Sequence, residues 1–274
     1  MAVPRYREIA EKLAQRIADG EFSEGTQLPT ETQLMDEYEG ASRNTIREAI
    51  KILVSRGLVA TSRGRGTFVL KEVVPLAITI ASVHVVEDSA KGGGEGQQYS
   101  FEANLQDRRS YQTPPRVEIV RADPKIAKAL DLPVGGRVVV RHQERRLDDY
   151  RPWSLQTSFY PMRFADGADR LLDAEDIEEG VIAYLNETLG VVQSSYRDRI
   201  TARVPDNNEM NFFNLRETGS VVIVHDRFAY DQDKKPIRVT NTVYPADRNQ
   251  LFLDVGDVPG QPQDLLPEAD KGSS

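Results

Sequence analysis

The stretch Ser42–Leu70 constrains the fold of this chain more than any other part of it. After the polar residue Ser42, apolar residues recur at the spacing of one face of an α-helix, and Gly57 ends the pattern. Leu58–Ser62 and Thr67–Leu70 then alternate as strands on either side of the sequence Arg-Gly-Arg-Gly. The pattern predicts one helix followed by a small β-hairpin.

This stretch is also a basic island in an acidic protein. Ser42–Lys71 contains seven basic residues and one acidic residue, whereas the whole chain has a net charge of −8. Residues 1–71 contain 11 basic and 10 acidic residues, and the remainder contains 24 and 33, so the excess acid lies mainly in the remainder. A local basic surplus of this kind indicates a polyanionic partner.

Composition excludes several classes of function. The chain has no cysteine, which rules out disulfides, thiolate catalysis and cysteine zinc sites, and its three histidines are isolated, which argues against a His-rich metal site. It offers no Ser–His motif and no phosphate-binding loop, so we expect neither an enzyme nor a cofactor. It has no apolar run of the ~18–20 residues needed to span a membrane and no signal peptide, which predicts a cytoplasmic protein without membrane contact.

Two more helices precede the basic island. Tyr6–Asp19 has one apolar helical face, and Thr30 with Gln33 forms a capping-box pattern that starts a short helix over about Glu31–Tyr38. Three helices followed by a hairpin predict a winged helix-turn-helix domain over residues 1–71. In such a domain the third helix presents its N-terminal residues to the major groove of double-stranded DNA.

Several separate motifs in this region resemble the DNA-binding domain of the GntR family of bacterial regulators. The matching segments are TQLPTE at 26–31, SRNTIREA at 42–49, GLV at 57–59 and RGTFV at 65–69. The segment at 39–41 departs from the family, which more often has a small residue and valine at this turn.

Candidate DNA contacts follow from this frame. Arg43 and Arg47 lie one helical turn apart and suit guanine recognition, with a solvated basic face as the alternative. The short polar residues beside them suit contacts with DNA phosphates. The hairpin tip suits contact with the DNA backbone or the minor groove, and the alternative is that its glycines serve only to form the turn. By resemblance, Tyr6 and Thr30 lie near phosphates. Glu31 would be repelled there, so we expect it to make a capping or inter-residue contact. The complete candidate set is Tyr6, Thr30, Ser42, Arg43, Asn44, Thr45, Arg47, Arg63, Gly64, Arg65 and Gly66.

The rest of the chain reads as a second domain. Residues 72–98 are predicted to be a linker with a Gly-rich flexible loop at Lys91–Gly96, residues 99–250 an α+β domain with an antiparallel sheet and flanking helices, and residues 251–274 a disordered tail.

The second domain resembles the UTRA effector-binding domain of the HutC subfamily of GntR regulators, which is similar in fold to chorismate lyase. The resemblance implies a dimer and a small-molecule effector. It implies that Ser100 and Phe101 hold the anionic end of the effector and that Arg146 faces the effector. Two positions depart from the family: Glu144 stands where relatives have a second arginine, and Gln156 stands where they often have glutamate. Candidate pocket aromatics, with core packing as the alternative, are Tyr160, Phe228, Tyr230 and Tyr244.

The sequence therefore predicts a homodimeric repressor that binds palindromic operator DNA and is released by a small-molecule effector, with coupling through residues 71–100. Two alternatives remain open: an effector-independent architectural or plasmid-maintenance DNA-binding protein, and a ligand-binding domain with vestigial DNA affinity.

Overall fold

The computed structural model describes residues 4–23, 25–62, 64–70, 75–82, 103–147, 152–215, 219–255 and 258–266. The chain divides into two compact units, Met1–Val73 and Val74–Ser274.

The first unit is a winged helix-turn-helix, as the sequence predicts. Helices α1, α2 and α3 span Arg5–Ala18, Glu31–Glu37 and Arg43–Ser55, and the hairpin strands β1 and β2 span Val59–Ser62 and Gly66–Val69. The periodic apolar residues of α1 and α3 are buried together with Leu34 of α2 and Val59 and Val69 of the hairpin. Burial of these helical stripes is what holds the short elements together, because isolated helices of this length are marginal in water.

Side-chain caps fix where α2 and α3 begin. Thr30 and Gln33 form the predicted capping box at α2, and the hydroxyl of Ser42 accepts a hydrogen bond from the backbone amide of Thr45 at α3. Each cap satisfies amide groups that have no partner inside the helix, typically worth about 1 kcal/mol. The first exposed turn of α3 is therefore well defined.

The second unit is built on an antiparallel sheet. Its described elements, in chain order, are β3 (Leu76–Ser82), β4 (Ser110–Gln112), β5 (Arg116–Arg121), α4 (Pro124–Ala129), β6 (Arg137–Leu147), β7 (Pro152–Pro161), α5 (Val181–Leu189), β8 (Gln193–Arg203), α6 (Asn207–Phe213), β9 (Val222–Asp231), β10 (Pro236–Pro245) and β11 (Asn249–Asp254), with short 3₁₀ helices at Met162–Phe164, Asp169–Leu172 and Pro262–Leu265. The central order is β4-β6-β7-β10-β9-β8, and β5 also pairs with β6.

One face of this central sheet carries two apolar clusters. Val138, Val140 and Val239 pack with Leu130 and Ala127 of α4 and the segment that follows it. A second cluster joins Val222, Val224 and Val243 to Phe213 at the end of α6. Both clusters follow the alternation expected of strands with one buried side.

Two sequence expectations about the ends of this unit need correction. Leu76–Ser82, placed in a linker, form β3, and the predicted disordered tail contains the end of β11 and a 3₁₀ helix at Pro262–Leu265. Strands β3 and β11 pair in parallel with each other, although they lie at opposite ends of the domain sequence. A parallel pair has no connecting hairpin, so no local turn signal reveals it. The predicted loop Lys91–Gly96 and residues 267–274 lie outside the described residues.

Candidate nucleic-acid and effector sites

The N-terminal turn of α3 presents the candidate reading residues to solvent. Arg43, Asn44 and Arg47 are exposed, while Ile46 between them is completely buried and anchors the helix. The Ser42 hydroxyl caps the helix and also shares a hydrogen bond of 2.9 Å with Thr45. The two arginines therefore project from a fixed helix start, as an approach to base edges requires.

Glu31, the first residue of α2, lies between these arginines. Its Oε1 atom is 2.8 Å from Nε of Arg47, and its Oε2 atom is 3.6 Å from Nε of Arg43. The hydrogen bond to Glu31 raises the pKa of Arg47 above its usual value, which keeps the guanidinium charged. The expected inter-residue contact of Glu31 is thus observed, and it is made to both candidate reading residues.

The hairpin tip is a tight turn in which Arg65 donates its amide proton to the carbonyl of Ser62. Gly64 and Gly66 both have positive φ, at +74° and +115°. Gly64 and Arg65 are exposed, and a Cβ atom on Gly66 would lie 2.2 Å from Nε2 of Gln27. The positive φ and this close approach together favour glycine at position 66. Arg63 lies outside the described residues.

The two remaining candidate phosphate contacts are less available to DNA. Tyr6 is half-buried in the first turn of α1, and the hydroxyl of Thr30, although exposed, is engaged in the α2 capping box. Their contact with phosphate stays a prediction.

The second unit carries an unusual set of buried polar side chains on the sheet face opposite the α4 and α6 clusters. Two adjacent rows cross β6, β7, β10, β9 and β8 in register, and we call them the polar rows. The first row is Arg141, Ser158, Thr240, Arg227 and Asp198, and the second is Gln143, Gln156, Thr242, His225 and Ile200. Most of these side chains are buried. Buried polar groups require partners, and ligand sites combine an apolar enclosure with a few such groups.

Hydrogen bonds link the polar rows at the β6 side. Arg145 donates to Oε1 of Gln156 at 2.5 Å, the Gln156 amide donates to Ser158 at 3.4 Å, and the Ser158 and Thr240 hydroxyls lie 2.9 Å apart. Ser154 is the register partner of Arg145. Its hydroxyl is completely buried and, within the described part of the chain, makes no hydrogen bond. An orphaned buried hydroxyl beside a buried arginine marks a place where a polar ligand group would be satisfied.

At the β9 side, Arg227 joins three elements. It donates two hydrogen bonds of 2.8 Å to the carboxylate of Asp198 and one of 2.5 Å to the carbonyl of Ile80 in β3, and its guanidinium lies 4.0 Å from the ring centroid of Tyr196. Burial opposes ionisation of Asp198, but the hydrogen bonds from Arg227 and the neighbouring His225, whose Nε2 atom lies 3.1 Å from the carboxylate, outweigh it and lower the pKa of Asp198 to about 2. The buried pair is therefore ionised at neutral pH.

The structure separates residues that the sequence expected to lie together. Arg146 contacts Glu144 at 2.9 Å and lies 5.4 Å from the ring centroid of Phe212 in α6, on the apolar side of the sheet. The reason is strand alternation: the β6–β7 register is regular through Gln143↔Gln156 and Arg145↔Ser154, so Arg145 lies on the Gln156 face and Arg146, the next residue, points to the other face. Arg145 thus replaces Arg146 as the arginine beside Gln156.

The other effector candidates have mixed placements. Ser100 and Phe101 lie outside the described residues. Tyr160 packs in a core cluster with Val139 and Leu185, and Tyr244 is also buried, whereas Tyr230 is half-buried where β9 turns towards β10. Phe228 packs against the α4 cluster.

Sequence reasoning missed most of the polar rows, although a signal was present. Polar residues recur at every second position in Ser154-x-Gln156-x-Ser158 and in Arg238-x-Thr240-x-Thr242. This alternation would ordinarily indicate a solvated face. The distinction between a solvated and a buried polar face depends on what covers it, and the strand sequence does not contain that information.

Within the described residues, no group of three or more His, Cys, Asp or Glu side chains is placed to hold a metal ion. No helix in the described part of the chain is long and apolar enough to span a membrane.

Comparison with protein families gives two matches. Residues 5–69 match the family described as bacterial regulatory proteins, gntR family, and residues 116–250 match the UTRA domain. A Streptomyces coelicolor protein described as an uncharacterised HTH-type transcriptional regulator is 30% identical over 81% of this chain and 82% of its own length. The Escherichia coli repressor MngR of the mannosyl-D-glycerate transport and metabolism system is 26% identical over 80% of this chain and 82% of its own.

Solved structures show the same architecture. A crystal structure of a GntR-family transcriptional regulator superposes with a TM-score of 0.66 at 25% identity, covering 94% of this chain and 98% of the other. The structure of PhnF from Mycobacterium smegmatis, at 22% identity and a TM-score of 0.51, covers 89% of this chain and 97% of its own, and shares the fold.

Proposed function

Since the chain belongs to the GntR family of bacterial regulatory proteins and carries a UTRA domain, we propose that it is a transcriptional repressor that a small-molecule effector releases from operator DNA. Transcriptional regulation follows from the family, and the comparisons do not support an effector-independent architectural role. The repressor activity, the effector control and a cytoplasmic homodimer form our proposal, which contains no catalytic step.

DNA reading is assigned to the first turn of α3. The support is that Arg43 and Arg47 are exposed one turn apart on a helix whose start is fixed by Ser42. In a homodimer, two such helices read the half-sites of a palindrome, because the symmetry of the protein matches that of the DNA. The wing around Gly64 and Arg65 adds affinity for the DNA backbone that falls with salt.

Effector binding is assigned to the β6 side of the polar rows. The single observation that carries this assignment is the buried Ser154 hydroxyl, which has no partner in the described structure and lies beside the hydrogen-bonded pair Arg145 and Gln156. A ligand with polar oxygens would accept from Arg145 and Ser154 and would bond the Gln156 amide. This chemistry replaces the expected set centred on Arg146.

Coupling between the sites is assigned to β3. Gln156 bonds Ser158, and the row that contains Ser158 runs in register to Arg227. Arg227 in turn donates a hydrogen bond to the Ile80 carbonyl of β3. Strand β3 is the first described element after the winged unit in the chain. A ligand that binds one arrangement of the polar rows more tightly would therefore shift β3 and the segment leading to the DNA-binding unit. The shift can only be as large as that difference in affinity.

The experiment uses the full chain and an operator selected from random duplex DNA by repeated binding. The candidate effectors are sugar phosphates, amino acids, carboxylates, mannosyl-D-glycerate and fructoselysine. For each compound, fluorescence anisotropy would measure release of the operator, and thermal melting would measure ligand binding. The last two compounds are chosen because repressors named for their use are 26–27% identical to this chain. We expect at least one compound to raise the melting temperature and weaken operator binding. Operator binding that no compound alters would contradict effector control.

A further inference from the structure

A carboxylate on a surface that approaches DNA requires an explanation. Glu31 stands at the start of α2 beside Arg43 and Arg47, and DNA phosphates repel it. It is not needed to start α2, because Thr30 and Gln33 supply the capping box without its side chain. Its contacts are made instead to the two arginines that the structure presents on α3.

The geometry of these contacts is specific. Glu31 accepts from the Nε atom of Arg47 at 2.8 Å, and its second oxygen lies 3.6 Å from the Nε atom of Arg43. Both contacts use the inner edge of the guanidinium. The outer edge, formed by the two Nη atoms, is the part that remains to donate two hydrogen bonds to O6 and N7 of guanine.

Such a contact has two effects on recognition. It restricts two long side chains that would otherwise sample many rotamers, which lowers the entropy lost when they bind a base. It also places a negative charge next to the arginines, which disfavours their use as simple phosphate contacts. Specificity is the difference between affinities for the correct and incorrect DNA, and both effects increase this difference.

We propose that Glu31 is a specificity-determining residue, which holds Arg47, and more weakly Arg43, with the Nη edge directed at the operator bases. The inference rests on the assignment of α3 as the reading helix. Glu31 itself touches no base and acts through the arginines, so it is a positioning residue.

The test compares Glu31→Gln with wild type and with Glu48→Gln. Glu48 is an exposed acid of the same unit that pairs with Lys51, so the control removes the same charge without touching either arginine. Dissociation constants would be measured for the selected operator and for a scrambled duplex of equal length, at several salt concentrations. Circular dichroism melting would check that each variant is folded.

We expect Glu31→Gln to lower the ratio of operator to scrambled affinity by about fivefold to tenfold, chiefly by strengthening binding to the scrambled duplex. Glu48→Gln should change both affinities by similar factors and leave the ratio unchanged. If Glu31→Gln also leaves the ratio unchanged, Glu31 contributes only general charge and the proposal is wrong.

A double-mutant test separates this proposal from its premise. In an Arg47→Ala background, Glu31→Gln should lose most of its effect on the affinity ratio, because the side chain it positions is absent. An effect of undiminished size in that background would contradict action through Arg47. Arg47→Ala alone tests the premise: if it leaves operator affinity intact, the reading-helix assignment fails, whatever the Glu31 result.

Discussion

Arg227 donates a hydrogen bond from Nη2 to the backbone carbonyl of Ile80 at 2.5 Å, and so fastens strand β3 to the central sheet. The same guanidinium holds the buried carboxylate of Asp198. Because β3 comes directly after the DNA-binding unit in the order of described elements, this contact gives the sheet a physical connection to the segment that leads there.

Replacing Arg227 by alanine should destabilise the second unit strongly. The change leaves the largely buried carboxylate of Asp198 with His225 in place of a permanently charged partner, and it removes the bond to Ile80. Breaking a buried ion pair in this way typically costs about 3–5 kcal/mol. Arg116→Ala is the control, since Arg116 is mostly exposed in its pair with the partly exposed Glu118 and should cost about 1 kcal/mol or less. Thermal melting of both variants checks this, and equal shifts would contradict the structural role of Arg227.

The stability of the second unit should fall in acid because of Asp198. Its pKa is about 2 in the folded protein and about 3.9 in an unfolded chain, so its ionised form stabilises the fold. This contribution is fully present above about pH 4 and is lost as the pH falls towards 2. Urea unfolding of wild type and Asp198→Asn at pH 7 and pH 3 measures it. The variant should lose less stability than wild type over this range, and an equal loss would contradict the assignment.

Two neighbouring glycines of the wing should respond differently to substitution. Gly66→Ala would place a Cβ atom 2.2 Å from Gln27, whereas a Cβ atom on Gly64 meets no atom within 4 Å in the described structure. Both positions have positive φ, which costs alanine about 1–2 kcal/mol. Gly66→Ala should therefore destabilise the unit and weaken operator binding more than Gly64→Ala. Equal effects in urea unfolding and in anisotropy would show that the close approach is unimportant.

Ser154→Ala should separate ligand binding from folding. Since the hydroxyl is buried without a partner in the described structure, its removal should leave the melting temperature of the free protein unchanged or slightly raised. The same change should weaken binding of the effector found in the screen by about fivefold to tenfold, the loss of one hydrogen bond. Arg146→Met, on the other side of the sheet, should leave effector affinity nearly unchanged. If Arg146→Met weakened effector binding and Ser154→Ala did not, Arg146 rather than Ser154 would belong to the effector site.

The DNA-binding unit was the more predictable half of the molecule. Its helices begin at caps written in the local sequence, such as Ser42 and the Thr30–Gln33 box, and its core follows a single helical period. Local signals of this kind act over three or four residues, so they can be identified without knowledge of the rest of the fold.

The second unit exposes the limit of the same reasoning. The pairing of β3 with β11 joins distant segments, and only the folded chain shows it. The register of β6 on β7, which pairs Gln143 with Gln156 and Arg145 with Ser154, decides which arginine meets Gln156, and a displacement of one residue would move each side chain to the opposite face of the sheet. An arginine and Gln156 were predicted for the candidate site, but the face on which each side chain lies was not, and so Arg145 and Ser154 were missed.

We assign the reading of operator DNA to the first turn of α3. The most direct measurement is the affinity of the full chain for its selected operator, by anisotropy, for wild type, Arg47→Glu and Arg137→Glu. The control makes the same charge reversal at an exposed position of the second unit. We predict that Arg47→Glu weakens operator binding by roughly 100-fold or more, since it removes a base contact and adds repulsion, while Arg137→Glu has little effect. Operator binding by Arg47→Glu at the wild-type level would contradict the account.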